Sequence, residues 1–81
     1  MAYTTKTGLK PAISNKNGQE NIEFIEFDCR YQDNYIQYIT EYYNPVNGLY
    51  DIDKTQIYFE GNDTLLIDQP YLTTAAELVN S

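Results

Sequence analysis

The fold of this chain is decided by residues 56–67, which read QIYFEGNDTLLI. Strand-forming residues lie on both sides of Glu60-Gly61-Asn62-Asp63, and Asn and Gly readily adopt the positive φ angles that tight hairpin turns need. This pattern predicts an antiparallel β-hairpin. A second turn dipeptide, Asn47-Gly48, lies upstream, and residues 49–52 after it predict a further short strand.

Residues 21–31 show the alternation that is typical of a half-buried strand. Apolar side chains occupy every second position: Ile25, Phe27, Cys29 and Tyr31. A period of two fits a strand better than a helix. Ile22 and Phe24 fall on the opposite parity, which indicates either a bulge near residue 24 or a partial covering of both faces at that end.

The segment 33–43 supports two interpretations. Apolar residues recur at helical spacing: Tyr35, Tyr38, Ile39 and Tyr42. Asp33 is a suitable N-cap for such a helix, and Asn44-Pro45 would end it. The composition of residues 35–43, with four tyrosines, two isoleucines and one threonine, instead favours a strand that forms a hairpin with the preceding one. We favour the strand and keep the helix as the alternative.

Residues 1–19 predict an extended basic arm. The segment has few apolar residues, Pro11 lacks a backbone donor, and residues 14–18 have the composition of a turn. We expect this arm, with a short edge strand over residues 9–14 as its variant, to be attached to a single small acidic domain of residues 20–81.

A short helix is expected near the C-terminus, because Thr74 and Glu77 have the spacing of a capping box. Together, the elements predict a mainly β fold, which would be a small antiparallel meander, sandwich or barrel. An extended N-terminal arm and a short C-terminal helix would complete it. The alternative is an α+β fold in which residues 33–43 are helical.

Charge is distributed unevenly along the chain. Residues 1–19 carry three lysines and no acid, a net charge of +3, whereas residues 20–81 carry Arg30 and Lys54 against twelve acids, a net charge of −10. An acidic body repels phosphate backbones and anionic membrane surfaces. We therefore expect no direct nucleic-acid binding and no membrane binding.

The composition argues against an enzyme, because the chain has no histidine and one cysteine. General acid–base catalysis near neutral pH, metal coordination and nucleophilic dyads draw mostly on these two residue types. Asp51 and Asp53 resemble the start of a calcium loop, but Gln56 and Asn62 stand where such a loop needs Gly and Glu. Neighbouring acids are too close in sequence to flank a glycosidic bond unaided. We predict no catalytic, cofactor-binding or metal-binding residues.

The single cysteine helps to indicate where in the cell the protein is found. Cys29 lies in the apolar register of the predicted strand, and without a histidine to activate it we expect it to serve as a small hydrophobe. It cannot form an internal disulfide, and the first residues lack the apolar stretch of a signal peptide. We expect a virion or cytoplasmic location rather than secretion through a signal peptide.

Nine tyrosines exceed what the core of so small a domain needs. Tyrosine combines a large ring with a polar tip and is enriched at the centres of protein interfaces. We expect three lysines and four tyrosines to bind a protein partner: Lys6, Lys10, Lys16, Tyr35, Tyr38, Tyr42 and Tyr43.

These expectations favour a non-enzymatic structural or adaptor subunit that docks onto a protein partner, or onto like subunits, in a larger assembly. A phage or virus particle is the favoured setting. The arm would lie either on its own body or across a neighbour, and removing residues 1–19 would leave the body folded. The alternative is a small acidic inhibitor or immunity-type protein that covers a basic nucleic-acid-binding surface of an enzyme.

Overall fold

The computed structural model describes residues 3–79 as one five-stranded antiparallel sheet with a C-terminal helix. The elements are β1 (Tyr3–Lys16), β2 (Gln19–Gln32), β3 (Ile36–Asn44), β4 (Leu49–Phe59), β5 (Thr64–Ile67) and α1 (Tyr71–Val79). A 3₁₀ turn, Asp33–Tyr35, joins β2 to β3. The strand order across the sheet is β2-β1-β5-β4-β3. The mainly β prediction with a short C-terminal helix is confirmed.

The ambiguous segment forms strand β3, so the helical alternative for residues 33–43 is wrong. β3 pairs antiparallel with β4, from Ile36 opposite Phe59 to Asn44 opposite Leu49. It does not pair with β2 as predicted, because the 3₁₀ turn separates the two strands and β2 pairs with β1 instead. The predicted strands at 49–52 and 56–59 are parts of the single strand β4.

The N-terminal segment belongs to the sheet. β1 pairs with β2 along its whole length, from Tyr3 opposite Gln32 to Lys16 opposite Gln19. It also pairs with β5 at Gly8, so β1 is interior in the strand order. Residues 9–14 lie past this pairing and pair only with β2, as the predicted edge strand would, but the strand is longer than predicted. Removing it would leave β2 and β5 without their shared neighbour, so we no longer expect a body folded without this segment. Residues 1 and 2 of the predicted arm lie outside the described residues.

β1 and β2 form a long hairpin, and the molecule measures 48 × 21 × 21 Å along its principal axes. Its turn, Asn17-Gly18, has φ angles of 54° and 78°, as the turn composition predicts. β5 pairs with β1 only at Gly8, so the outer part of the hairpin extends past β5.

Apolar side chains are buried on both faces of the sheet. Ile57, Ile67 and Thr55 are completely buried on the face that α1 covers. On the other face a small cluster forms around three buried side chains: Leu9, Tyr42 and Leu66. Side chains from β1, β3 and β5 therefore share this second cluster, which ties distant parts of the chain together.

The partly buried side chains of β2 lie on one face of the sheet near its start and on the other face near its end. Ile22 and Phe24 pack against the Leu9 cluster, whereas Ile25 is exposed. Cys29 and Tyr31 are half-buried on the opposite face. β2 pairs with β1 in continuous register, so no bulge lies near residue 24. At the Ile22 end only the face that carries Ile22 and Phe24 is partly covered, so the predicted covering of both faces and the expected burial of Ile25 are wrong there.

Helix α1 begins at Tyr71, so Thr74 lies inside the helix and is not its N-cap. The Thr74 hydroxyl lies 2.9 Å from the Thr55 hydroxyl and accepts a hydrogen bond from Gln69 Nε2 at 2.9 Å. The Thr55 hydroxyl donates to the Gln69 carbonyl at 2.8 Å, and the Thr74 hydroxyl donates to the Pro70 carbonyl at 3.2 Å. This buried network fixes α1 to β4.

Replacing Thr74 by valine is expected to lower the free energy of unfolding by about 1–3 kcal/mol, because buried polar partners on Thr55 and Gln69 lose a hydrogen bond. Urea unfolding followed by circular dichroism measures the change. Thr73→Val is the matched control, because Thr73 is exposed on the same helix. An equal loss in both variants would contradict the role of the network.

Candidate protein-binding surface

Four tyrosines of the β3–β4 hairpin form two cross-strand pairs, which we together call the tyrosine surface: Tyr38, Tyr43, Tyr50 and Tyr58. Because Tyr38 and Tyr43 are five residues apart on an uninterrupted strand, the two pairs point to opposite faces of the sheet. Tyr38 and Tyr58 are opposite each other in the register, and their rings stack with centroids 4.5 Å apart. Tyr43 and Tyr50 are also opposite each other and meet edge to face at 5.3 Å. Tyr38, Tyr43 and Tyr50 are between 51% and 65% exposed. Cross-strand pairing thus holds the rings in place while leaving much of their surface open to solvent.

A groove of about 270 Å³, the tyrosine groove, runs along this surface. It is lined mainly by aromatic side chains: Tyr42, Tyr43, Tyr50 and Tyr58. A second groove of about 580 Å³, the apolar groove, lies between β3 and the start of α1. Its lining is mainly apolar and aromatic: Ile39, Tyr50, Ile52, Tyr71 and Leu72. Clefts that bury small molecules measure roughly 300–1,000 Å³, so the apolar groove lies within this range and the tyrosine groove lies just below it. Both are large enough for single side chains of a bound segment.

The two grooves adjoin at the middle of β3, because Thr40, Glu41 and Tyr50 line both of them. Among the described residues that line these grooves, Glu41 alone carries a charge. The surface is therefore aromatic and apolar with a single carboxylate, on a segment 20–81 whose net charge is −10.

The structure places the predicted tyrosines in three different environments. Tyr38 and Tyr43 belong to the tyrosine surface. Tyr42 is buried, and its ring packs edge to face against Phe24 at 5.7 Å. Tyr35 lies in the 3₁₀ turn before β3 and lines a separate depression with Cys29, among others. Tyr38 and Tyr43 are each paired with a tyrosine of β4, and the four predicted tyrosines do not form one cluster.

Tyr50 and Tyr58 complete the surface, although the sequence did not identify them as contact residues. Tyr50 follows the Asn47-Gly48 turn, and pairing outward from that turn places it opposite Tyr43. This signal was available in the sequence, whereas the position of Tyr58 depends on a shift in register.

The three predicted lysines do not converge. Lys6 Nζ lies 2.9 Å from Glu77 Oε2 and donates to Gln69 Oε1 at 2.8 Å. Lys16 pairs with Glu23 across the hairpin at 3.2 Å. Lys10 is exposed and has no ion pair within residues 3–79. Lys6 and Lys16 thus contact carboxylates of their own chain.

The acidic segment that resembles the start of a calcium loop has internal partners. The Asp51 carboxylate accepts hydrogen bonds from Lys54 Nζ and from the Asp53 backbone N–H, both at 2.9 Å. The hydrogen bond from Lys54 is the main cause of the lowered pKa of Asp51. Within residues 3–79, no three His, Cys, Asp or Glu side chains are grouped as a metal ion would require.

The Lys6–Glu77 ion pair predicts a pH-dependent stability. The hydrogen bond from Lys6 lowers the pKa of Glu77 below its ordinary value of 4.5. A lowered folded-state pKa means that the pair stabilises the fold above about pH 4.5 and that this contribution is lost as the pH falls through the folded-state pKa. Lys6→Met should therefore be less stable than the natural chain at pH 7, with a difference that shrinks at about pH 3.

Urea unfolding between pH 7 and about pH 3 measures this difference, which should be modest because the pair is partly exposed. Lys10→Met is the matched control, since the exposed Lys10 should show little change at either pH. A Lys6→Met deficit that stays constant over the whole range would show that pH-independent contacts of Lys6, such as its hydrogen bond to Gln69, and not the ion pair, are responsible.

No helix among residues 3–79 has the length and apolar character needed to cross a bilayer. In comparisons with known proteins, no family model, no curated protein and no solved structure matches the chain.

Proposed function

We propose that this chain is a non-enzymatic structural or adaptor subunit that binds a protein partner within a larger assembly through the tyrosine surface. The observation that carries the proposal is the pairing of exposed tyrosine rings on one hairpin. Rings held by their neighbours lose little rotamer freedom on binding, and large aromatic side chains supply much of the binding energy at protein interfaces.

A phage or virus particle is the setting that we favour, with the cytoplasm as the other location. The long β1–β2 hairpin supports a role in an assembly, because it carries exposed side chains past the edge of β5. Ile13 and Ile25 are exposed on this outer part, together with Lys10. A neighbouring subunit can cover such side chains without any change in the core.

Photo-crosslinking in the source cells tests the proposal. Replacing Tyr43 by a benzophenone amino acid should give one cross-linked protein that sediments with an assembly far larger than the 9.4 kDa chain. Tyr3 is the matched control, because it is 55% exposed but lies at the start of β1. Equal cross-linking from both positions, or none from position 43, would contradict the proposal.

An acidic inhibitor or immunity-type protein is the second candidate. One observation favours it: Lys6 and Lys16 of the cationic segment pair with carboxylates of their own chain, which reduces their repulsion of a basic partner. Four acids of β2 are exposed, and Glu23 among them pairs with Lys16: Glu20, Glu23, Glu26 and Asp28. An affinity for the cross-linked partner that falls steeply with salt would support this candidate, whereas a nearly constant affinity would support the adaptor.

A further inference from the structure

β3 is a free edge of the sheet. It ends the strand order and pairs only with β4 among the described strands. The outer side of an edge strand presents backbone N–H and C=O groups that can pair with another strand. The register irregularity between Glu41 and Tyr42 is taken up by extra residues on β4, so β3 runs without interruption from Tyr38 to Asn44.

The two edges of the sheet differ in how well they are protected. β2, the opposite edge, carries five charged residues: Glu20, Glu23, Glu26, Asp28 and Arg30. Charged side chains along an edge discourage pairing with other strands. β3 contains no proline and no lysine, and its one charged residue is Glu41. The sequence of β3 therefore lacks the usual protection against strand addition.

Binding pockets lie beside this edge. Side chains of a strand point alternately to opposite faces. A segment lying along β3 would therefore direct side chains into both the tyrosine groove and the apolar groove, which adjoin at Thr40 and Glu41. Main-chain hydrogen bonds supply affinity in this binding mode, and pockets for alternate side chains supply specificity. The tyrosine groove and the apolar groove fit this requirement.

Charge selects the occupant. Glu41 is the charged group at the point where the grooves adjoin, and the surrounding segment is strongly acidic. A second copy of this chain carries a net charge of −7, and pairing β3 with the β3 of another copy would bring a second Glu41 to the same edge. Lysine or arginine side chains on the bound strand would instead be attracted to Glu41.

We propose that the partner binds by adding an extended, cationic strand with alternating apolar side chains to the free edge of β3. This inference rests on the proposed function and specifies the structure and charge of the partner's segment.

Synthetic peptides test the inference on the intact chain. The probe is the blocked heptapeptide Lys-Val-Lys-Val-Lys-Val-Lys, and the expected result is an increase of about tenfold or more in the protection of those β3 amides between Tyr38 and Asn44 that point away from β4, at saturating peptide. Amide hydrogen exchange read by NMR measures it residue by residue. Two control peptides, one with glutamate in place of lysine and one with a central proline, should give no such protection.

Variants of the chain test the charge selection separately. Glu41→Gln should weaken binding of the lysine peptide several-fold, whereas Glu26→Gln, which removes an exposed acid from β2, should leave it unchanged. Protection at β2 in place of β3, or equal binding of the glutamate peptide, would overturn the inference.

Two further results would also overturn it without affecting the proposed function. The first is protection of β3 that grows with protein concentration in the absence of peptide and accompanies a dimer mass in light scattering, because a second copy would then be the occupant. The second is a cross-link from position 43 to a partner combined with no peptide-dependent protection of β3, because the partner would then bind the tyrosine surface without adding a strand.

Discussion

Replacing Ile57 by alanine is expected to lower the free energy of unfolding by about 2–5 kcal/mol, the usual range when a large buried aliphatic side chain is truncated. Ile57 has 0% exposure and lies in β4 between Ile39 of β3 and Leu65 of β5. The surrounding strands cannot close the resulting cavity without breaking their pairing. Because small domains have free energies of unfolding of about 5–15 kcal/mol, this loss would be a large fraction of the total stability.

Urea unfolding, followed by circular dichroism, measures this effect. Ile25→Ala is the matched control, since Ile25 is 59% exposed on the hairpin. We expect the control to change the free energy of unfolding by about 0.5 kcal/mol or less. If the two variants lost the same amount, the assignment of Ile57 to the core would be wrong.

Replacing Gly8 by valine is expected to destabilise the fold by about 1–3 kcal/mol through overpacking. A Cβ atom at this position would lie 2.5 Å from Cζ of the Phe27 ring, which covers the glycine. Gly8 is also the residue through which β1 pairs with β5, opposite Ile67. Displacing the backbone there would loosen the connection between the long hairpin and the rest of the sheet.

A double-mutant cycle separates this clash from other effects. Phe27→Ala alone removes part of the cover over Gly8, but combined with Gly8→Val it removes the ring that the new side chain meets. The double variant should therefore be more stable than Gly8→Val alone, which is a strong non-additive coupling. Additive losses would show that the Phe27 ring is not the obstacle.

Much of the local structure could be predicted from the sequence, because its determinants lie close together in the chain. The predicted hairpin over residues 56–67 forms, and its turn contains Gly61 at φ 88° and Asn62 at φ 71°. Strand β3 follows from its content of tyrosine and isoleucine, even though the same residues recur at helical spacing. The helix near the C-terminus was also predicted, but its start was not, since Thr74 bonds to Thr55 instead of capping the helix.

The candidate surface could be predicted only in part. Tyr43 and Tyr50 flank a turn, so their pairing follows from local sequence. Counting back from that pair without a break would place Tyr38 opposite Thr55, yet Tyr38 lies opposite Tyr58, because extra residues enter β4 between the two pairs. A register shift of this kind depends on which side chains fit the core, and the sequence pattern does not show it.

By itself, the sequence determined the hairpin over residues 56–67, the strand over residues 21–31, the turns, the acidic body and the absence of histidine, since each of these depends on residue identity or on neighbours along the chain. Only the tertiary structure decided that β1 is an interior strand, that Tyr42 is buried and that the edge of β3 is free. The physical reason is that strand order and burial depend on pairing between residues far apart in sequence. Gly8 with Ile67 and Leu9 with Tyr42 are such pairs, and their contacts offset the chain entropy lost in bringing them together.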